Sequence, residues 1–230
     1  MSALPKAFIF DCDGTILDSM GAWIEASPRL LAEYGIETTP EDFAQFEHLP
    51  IEDECAEYHR LWGIGKDGAE IADRLLAMMR EAYATRVDVR VGVHEFLDEV
   101  RAAGIPMAIA TSTEKETIIA GLKAHGLFDY FASITTTVES GVGKDRPDVY
   151  NLALSRLASQ FDLGEVDHAD VWVFEDALFG LQSSGAAGYR RVGIHDPLGR
   201  FTVEEVRANS EIFINDYPEL SLDQILTYDA

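Results

Sequence analysis

Short apolar segments alternate along the chain with stretches of helical period. Phe8 to Phe10, Met107 to Ala110, Ser133 to Val138, Val171 to Phe174 and Val192 to Ile194 read as strands, and Ile212 to Ile214 as a last one. Between them, Ile118, Ile119 and Leu122 form an apolar helical stripe closed by Gly126, a residue suited to a helix C-terminus. Val149, Leu152, Ala153 and Leu157 recur at helical spacing behind Pro147, which suits a first helical position. This alternation predicts βαβ units, and near-continuous apolar strands predict a parallel sheet covered on both faces. The expected fold class is α/β.

From Met20 to Arg86 the pattern changes, because helical periods follow one another with no convincing strand between them. Ile71, Leu75, Met78, Met79 and Ala82 trace one face of the last of these helices, and Gly63, Gly65 and Gly68 break the chain before it. The two methionines read as core filler. The expected organisation is a core domain built from residues 1–19 and 87–230, interrupted by an all-helical domain over residues 20–86.

Composition narrows the partners. With 41 acidic against 18 basic residues the net charge is −23 over 230 residues, so nucleic acid and anionic membrane surfaces, both of which recruit Lys and Arg, are excluded as partners. A chain that is 47% hydrophobic and 10% aromatic has the material for a substantial core. No run reaches the roughly 18 apolar residues of a spanning helix, and the opening MSALPKAFIFDC meets an Asp too soon for a signal peptide. Cys12 and Cys55 allow at most one disulfide, which fits a reducing compartment. The expected location is cytoplasmic, with both cysteines as packing residues.

The chemistry lies at strand ends. Phe8-Ile9-Phe10 runs into Asp11-Cys12-Asp13-Gly14-Thr15, two carboxylates one residue apart and then a glycine turn. A second pair, Glu175-Asp176, ends the strand Val171 to Phe174 in the same way. In an open parallel sheet, ligands bind at the carboxyl ends of the strands, so up to four carboxylates converge. Like charges that close require a cation, and for an all-oxygen donor set Mg²⁺ fits best. Taken one at a time, each pair also reads as a turn or a helix N-cap.

Two further segments tip that balance. Met107 to Ala110 leads into Thr111-Ser112-Thr113, whose hydroxyls and following amides suit an anion and equally suit a capping box with Glu116. Lys144 sits in the loop Gly141-Val142-Gly143-Lys144 before the helix opened by Pro147. In a chain poor in cations, a glycine-flanked lysine at a strand-to-helix loop is a candidate site residue.

These four segments, in this order, resemble the four motifs of the haloacid dehalogenase superfamily: Asp11-Cys12-Asp13-Gly14-Thr15, then Thr111 or Ser112, then Lys144, then Glu175-Asp176. The resemblance covers nearly the whole chain. It implies a Rossmann-like core and makes the helical stretch a C1 cap of the phosphoglycolate-phosphatase and β-phosphoglucomutase type. It makes Asp11 the nucleophile that forms an aspartyl-phosphate, Asp13 the acid and base, Thr111, Ser112 and Lys144 the phosphate-binding groups, and Asp11, Asp13, Glu175 and Asp176 the Mg²⁺ site. Asp13 argues against the dehalogenase branch, which lacks it. The cap's sole lysine, Lys66, lies in a glycine-rich loop, a poor setting for the Schiff-base lysine of the phosphonate-cleaving branch. The third motif departs from the family's usual Lys-Pro-Ala-Pro-Asp, reading Lys144-Asp145-Arg146-Pro147-Asp148.

The expected function is a Mg²⁺-dependent phosphatase acting on a small phosphorylated metabolite, such as a sugar phosphate or a phosphoglycolate-like monoester, as a monomer or weak homodimer. The alternatives are a β-phosphoglucomutase-like mutase and a non-catalytic binding protein. A mutase must hold a bisphosphate, whose distal group needs a cation, yet between Arg29 and Arg60 the cap offers only His48 and His59. Loss of catalytic function is the weakest reading, because none of Asp11, Asp13, Lys144 and Asp176 is missing.

Overall fold

The computed structural model describes residues 4–43, 46 and 51–228. Six strands, β1 (Ala7–Phe10), β4 (Met107–Thr111), β5 (Ser133–Thr136), β6 (Val171–Glu175), β7 (Arg190–Ile194) and β8 (Ile212–Ile214), form one sheet in the order β5-β4-β1-β6-β7-β8. Every pairing in it is parallel. Two short strands, β2 (Leu17–Asp18) and β3 (Asp88–Val89), form a separate antiparallel pair.

Between β2 and β3 the described chain is helical: α1 (Met20–Glu33), α2 (Pro40–Phe43), α3 (Ile51–Trp62) and α4 (Gly68–Thr85). The helices α5 (Val93–Ala102), α6 (Lys115–Ala124), α7 (Thr137–Ser140), α8 (Asp148–Phe161), α9 (Leu178–Ala186), α10 (Val203–Ala208) and α11 (Leu222–Leu226) connect or follow the strands of the main sheet. No helix among the described residues is long and apolar enough to cross a membrane.

Alternation along β1 explains why both sheet faces are covered. Phe8 and Phe10 point to one buried cluster, with Phe10 stacked on Phe174 at 4.2 Å between centroids. Ile9 points to the other, against Ala108, Val149, Leu157 and Val173. Removing a ring such as Phe174 would cost about 3–5 kcal/mol. Continuing the parity, Cys12 joins the Phe8 and Phe10 cluster, which leaves Asp11 and Asp13 to turn away from it.

Where the structure departs from the sequence reading, local capping is the cause. The strand expected over Ser133 to Val138 stops at Thr136, and α7 begins there. Thr136 caps α7 through its side chain, and Glu139 reaches back to the Thr136 amide, closing a capping box. Val138 is therefore exposed on a helix rather than paired in a sheet. Pro147 precedes the first helical residue, Asp148, by one position. At Gly126 the left-handed backbone after α6 is present, at φ +68°. In α4, Asp67 is the N-cap and Gly68 the first helical residue. A Cβ on Gly68 would lie 2.6 Å from the Ala56 Cα, so only glycine lets α4 approach α3 this closely.

Glu139 also accepts from Arg156 at 2.9 Å and Lys115 at 3.2 Å, tying α6, α7 and α8 together. The Arg156 bond is the main reason its carboxyl is held down at about 2, against an ordinary 4.5. A depressed carboxylate stabilises the fold above its unfolded value and loses that contribution as pH falls through the folded one. Glu139→Gln is expected to lower Tm by about 2–4 °C at neutral pH, with the gap to the parent narrowing below pH 4.5 and closing below about pH 2. Thermal melts across that range check it.

Candidate active site

Backbone pairing brings the two acidic segments together. Phe10 is in register with Phe174, and the Asp11 amide donates to the Phe174 carbonyl at 2.8 Å. Glu175 and Asp176 therefore emerge beside Asp11 at the carboxyl edge of the sheet. Asp11, Glu175 and Asp176 each offer an oxygen within 4.8 Å of the others. Burial pushes the Asp11 and Asp176 carboxyls up, and neighbouring carboxylates add to it. Glu175 is pushed up to about 8, first by burial and then by Asp11, with Lys144 pulling the other way. A buried all-carboxylate set of this kind fits a hard divalent cation.

Lys144 faces the same point from the loop before α8. Its Nζ donates to Asp11, and to Glu175 at 3.0 Å. Burial works against its charge, but Asp11 and Glu175 outweigh that and hold the ammonium well above its ordinary value. The loop is fixed from behind, since Ser183 Oγ on α9 donates to the Lys144 carbonyl at 2.5 Å. The departure in the third motif is harmless to this arrangement: Arg146 pairs with Asp148 at the exposed surface, 3.2 Å apart.

Asp13 occupies a different environment. Its carboxylate accepts from Ser19 Oγ at 2.6 Å, from Thr113 Oγ1 at 2.7 Å and from the buried Tyr83 hydroxyl. Tyr83 in turn accepts from Trp23 Nε1 at 2.8 Å. Among the described residues Asp11, Glu175 and Asp176 form a metal-competent cluster, while the Asp13 carboxylate, lining the same cavity, is held by three hydroxyls. A carbonyl at Asp13 is what remains for a cation.

The second motif also divides. Thr111 is fully buried, and its Oγ1 accepts from the Thr113 amide at 3.0 Å, so it shapes the loop. Ser112 and Thr113 face the cavity. The N-cap of α6 is Glu114, without a side-chain cap bond, so the capping box with Glu116 does not form. Glu114 instead accepts from Arg80 of α4 at 3.0 Å. Ser19, Tyr83 and Trp23 carry no sequence signal for this role: Ser19 and Tyr83 reach Asp13 across 6 and 70 residues, and Trp23 reaches Tyr83 across 60. Asp196, after β7, is another: it is buried, contacts Arg90 at 3.6 Å and adds to the upward push on Asp176. His59 packs against the Ile64 carbonyl at 2.8 Å, and His48 lies outside the described residues.

Asp11, Asp13, Lys144, Glu175 and Asp176 line one cavity of about 900 Å³, walled on its other side by α1, Phe43, α3 and Leu75. A parallel sheet with these acids at its carboxyl edge and a helical wall opposite defines a phosphoryl-transfer type of enzyme site. The sequence matches the haloacid dehalogenase-like hydrolase family over residues 8–194, and the chain belongs to that family. It is 29% identical over 194 residues to the phosphorylated carbohydrates phosphatase of Thermotoga maritima, covering 81% of this chain and 83% of that one. The protein CbbY of Rhodobacter capsulatus is 31% identical over 197 residues, covering 81% and 84%. In fold it is similar to the β-phosphoglucomutase of Clostridium difficile, with a TM-score of 0.69, 18% identity and 96% of each chain covered. The chain is thus an enzyme of the phosphoric monoester hydrolase kind.

Gly14 is where the site tolerates least. Its φ is +71°, and a Cβ there would lie 2.6 Å from Asp176 Oδ2 and 3.0 Å from Asp196 Oδ2. Gly14→Ala is therefore expected to displace Asp176 and weaken divalent-cation binding at least tenfold, read by calorimetric titration with Mg²⁺ or Mn²⁺, while circular dichroism shows the fold retained.

Proposed function

We propose that this enzyme is a Mg²⁺-dependent phosphatase that hydrolyses a small phosphate monoester through an aspartyl-phosphate on Asp11. One observation carries the reading. Asp11 lies against both Lys144 and the Glu175-Asp176 pair on the cavity floor, while Asp13, two residues on, is held by hydroxyls on the side toward the helical wall. The nucleophile and the proton donor of a substitution at phosphorus need this separation: one group faces the phosphorus, the other the leaving oxygen.

In this reading the Asp11 carboxylate attacks the phosphorus and the ester oxygen departs with a proton from Asp13. Asp13 then takes a proton from the water that hydrolyses the aspartyl-phosphate. Lys144 orients Asp11 and offsets charge on the phosphoryl oxygens. Ser112 and the backbone around it bind those oxygens, and Thr111 holds the loop in shape. Asp11, Asp176 and Glu175, with the Asp13 carbonyl, would hold Mg²⁺, Glu175 either directly or through a neighbour. Bound there, the ion supplies positive charge where the transferring group gathers negative charge.

Residues 20–86 form the cap domain of this reading and residues 1–19 and 87–230 its core. The cap brings no Lys or Arg to the cavity lining among the described residues, and its charged lining residue is Glu54. On the cap side a distal phosphate, which a mutase must bind, meets no cation among the described residues, and the guanidinium in the lining, Arg200, comes from the core, so release to water is favoured over return to a sugar. Lys66 is exposed and outside the lining, which removes the nucleophile of the phosphonate-cleaving branch. Buried, unpaired Cys12 and Cys55 support a cytoplasmic setting. The substrate is a small phosphorylated metabolite, and the enzyme works as a monomer or weak homodimer.

The test is Asp11→Asn, which keeps the shape and removes the nucleophile. Phosphate release from p-nitrophenyl phosphate with Mg²⁺ should vanish while Tm changes little, and a chelator should silence the parent enzyme reversibly. Turnover by the variant comparable to the parent's would overturn the assignment. For Asp13→Asn, the loss should be about 10²- to 10⁴-fold on an alkyl phosphate and smaller on p-nitrophenyl phosphate, whose leaving group needs little protonation. Equal losses on both esters would contradict the acid role.

A further inference from the structure

The leaving-group half of the cavity has an unusual chemical character. Its walls are apolar and aromatic: Trp23, Ile24, Phe43 and Leu75 from the helical segment, Phe179 and Phe201 from the core. Ile24, Phe179 and Leu198, which also lines it, are among the large hydrophobic side chains that stay exposed. Exposed apolar groups gathered at one cavity mark a binding surface. The ring edge of Phe179 meets Phe201 with centroids 6.0 Å apart, a rigid wall rather than a set of mobile chains.

Within this apolar half sits a carboxylate, Glu54 on α3. It accepts from Ser27 Oγ at 3.0 Å and from the Tyr58 hydroxyl, and both bonds fall on Oε1. Neither partner is charged. Among the described residues Glu54 forms no ion pair, and none of them donates a hydrogen bond to its Oε2. A half-buried carboxylate fixed on one oxygen, open on the other and surrounded by apolar walls, is poorly matched to a neutral hydrocarbon and repels an anion. What it matches is an ammonium group.

We propose that the phosphate ester this enzyme cleaves carries an ammonium group on an apolar body, with Glu54 Oε2 as the acceptor that selects it. The inference rests on the phosphatase reading above and goes beyond it by naming the substrate class. The phosphoryl end meets Lys144 and the cation site, the body lies along the aromatic wall, and the ammonium end reaches Glu54. Such a substrate also suits the charge of the chain, since its net charge of −23 repels a leaving group that adds further negative charge. Arg200 lines the exposed rim of the same cavity. The ω-carboxyalkyl series below tests this guanidinium as the competing site for an anionic substituent.

The experiment compares three series of phosphate esters of increasing chain length: ω-aminoalkyl, alkyl of equal length, and ω-carboxyalkyl. For at least one length kcat/KM should favour the amine about tenfold or more over the alkyl ester, the size of one charge-assisted hydrogen bond. Glu54→Gln keeps both hydroxyl bonds and should erase that preference. Glu54→Lys should transfer it to the carboxyalkyl series. An amine preference at no length, or one that survives Glu54→Gln, overturns the proposal, and a parent preference for the carboxylate assigns selection to Arg200. If the parent releases phosphate from none of these esters nor from p-nitrophenyl phosphate, the phosphatase reading itself falls and takes the proposal with it. If p-nitrophenyl phosphate is cleaved and the amines are not preferred, the substrate class alone is wrong.

Discussion

Buried Asp11 and Glu175 and the half-buried Asp176 gather at the ends of two adjacent strands around one buried ammonium, and the site is arranged around that imbalance. Lys144 touches Asp11 and Glu175 and so offsets part of their mutual repulsion. One cation against three acids leaves the cluster electron-rich, and burial pushes every one of its carboxyls upward as a result. A protein keeps such a cluster only if something restores the balance in use, which is why a divalent cation and a phosphoryl group belong together at this point. Much of the neighbouring structure serves to keep Lys144 where it is: Ser183 holds its carbonyl, and Tyr150 lies with its ring 5.8 Å from Nζ. A Cβ at Gly180 would press on both Glu175 and Tyr150, so α9 can approach only without one.

The two aspartates of the first motif differ because they face opposite demands two residues apart. Asp11 points into the charged cluster, where its oxygens meet an ammonium. Asp13 receives three hydroxyl donors and no cation. Hydroxyls can donate to a carboxylate and adjust when it carries a proton, since each also has lone pairs to accept with. A fixed ammonium cannot make that change. The alternation of an extended segment and the turn at Gly14 thus give the two carboxylates different partners, an ammonium for Asp11 and hydroxyls for Asp13.

Much of this was legible in the sequence, and the reasons are specific. β1, β4, β6 and β8 are largely apolar runs, because a parallel sheet covered on both faces leaves little polar alternation to obscure them, while β5 and β7 carry polar residues. The acids and Lys144 stand at strand or loop ends, where residue type alone marks chemistry. The β5 boundary misled because Thr135, Thr136, Thr137 and Val138 are all β-branched, and the capping box formed by Thr136 and Glu139 outweighed their strand preference. β2 and β3 are two residues long, too short to carry a period. Of the two residues expected of that motif, Thr111 turns inward to brace the loop and Ser112 faces the cavity, a division that residue type alone cannot show. Asp196 belongs to no motif; only the pairing of β6 with β7 brings it beside Asp176.

The partners of Asp13 carry the last step. Ser19 lies between β2 and α1, Tyr83 near the end of α4, and Thr113 in the loop after β4. Three separate parts of the chain therefore meet on one carboxylate, and two of them bracket the helical segment. Arg80 on α4 bridges to Glu114 beside the phosphate-binding loop, adding a second tie between the same elements. Trp23 on α1, which faces the cavity, bonds to Tyr83, and Tyr83 to Asp13, so a group pressed against the aromatic wall acts two hydrogen bonds away from Asp13. Occupancy of the leaving-group half and the environment of Asp13 are consequently linked through two side chains. In the reaction proposed above, this gives a physical route by which the leaving group, and not the phosphoryl group alone, bears on how Asp13 is held.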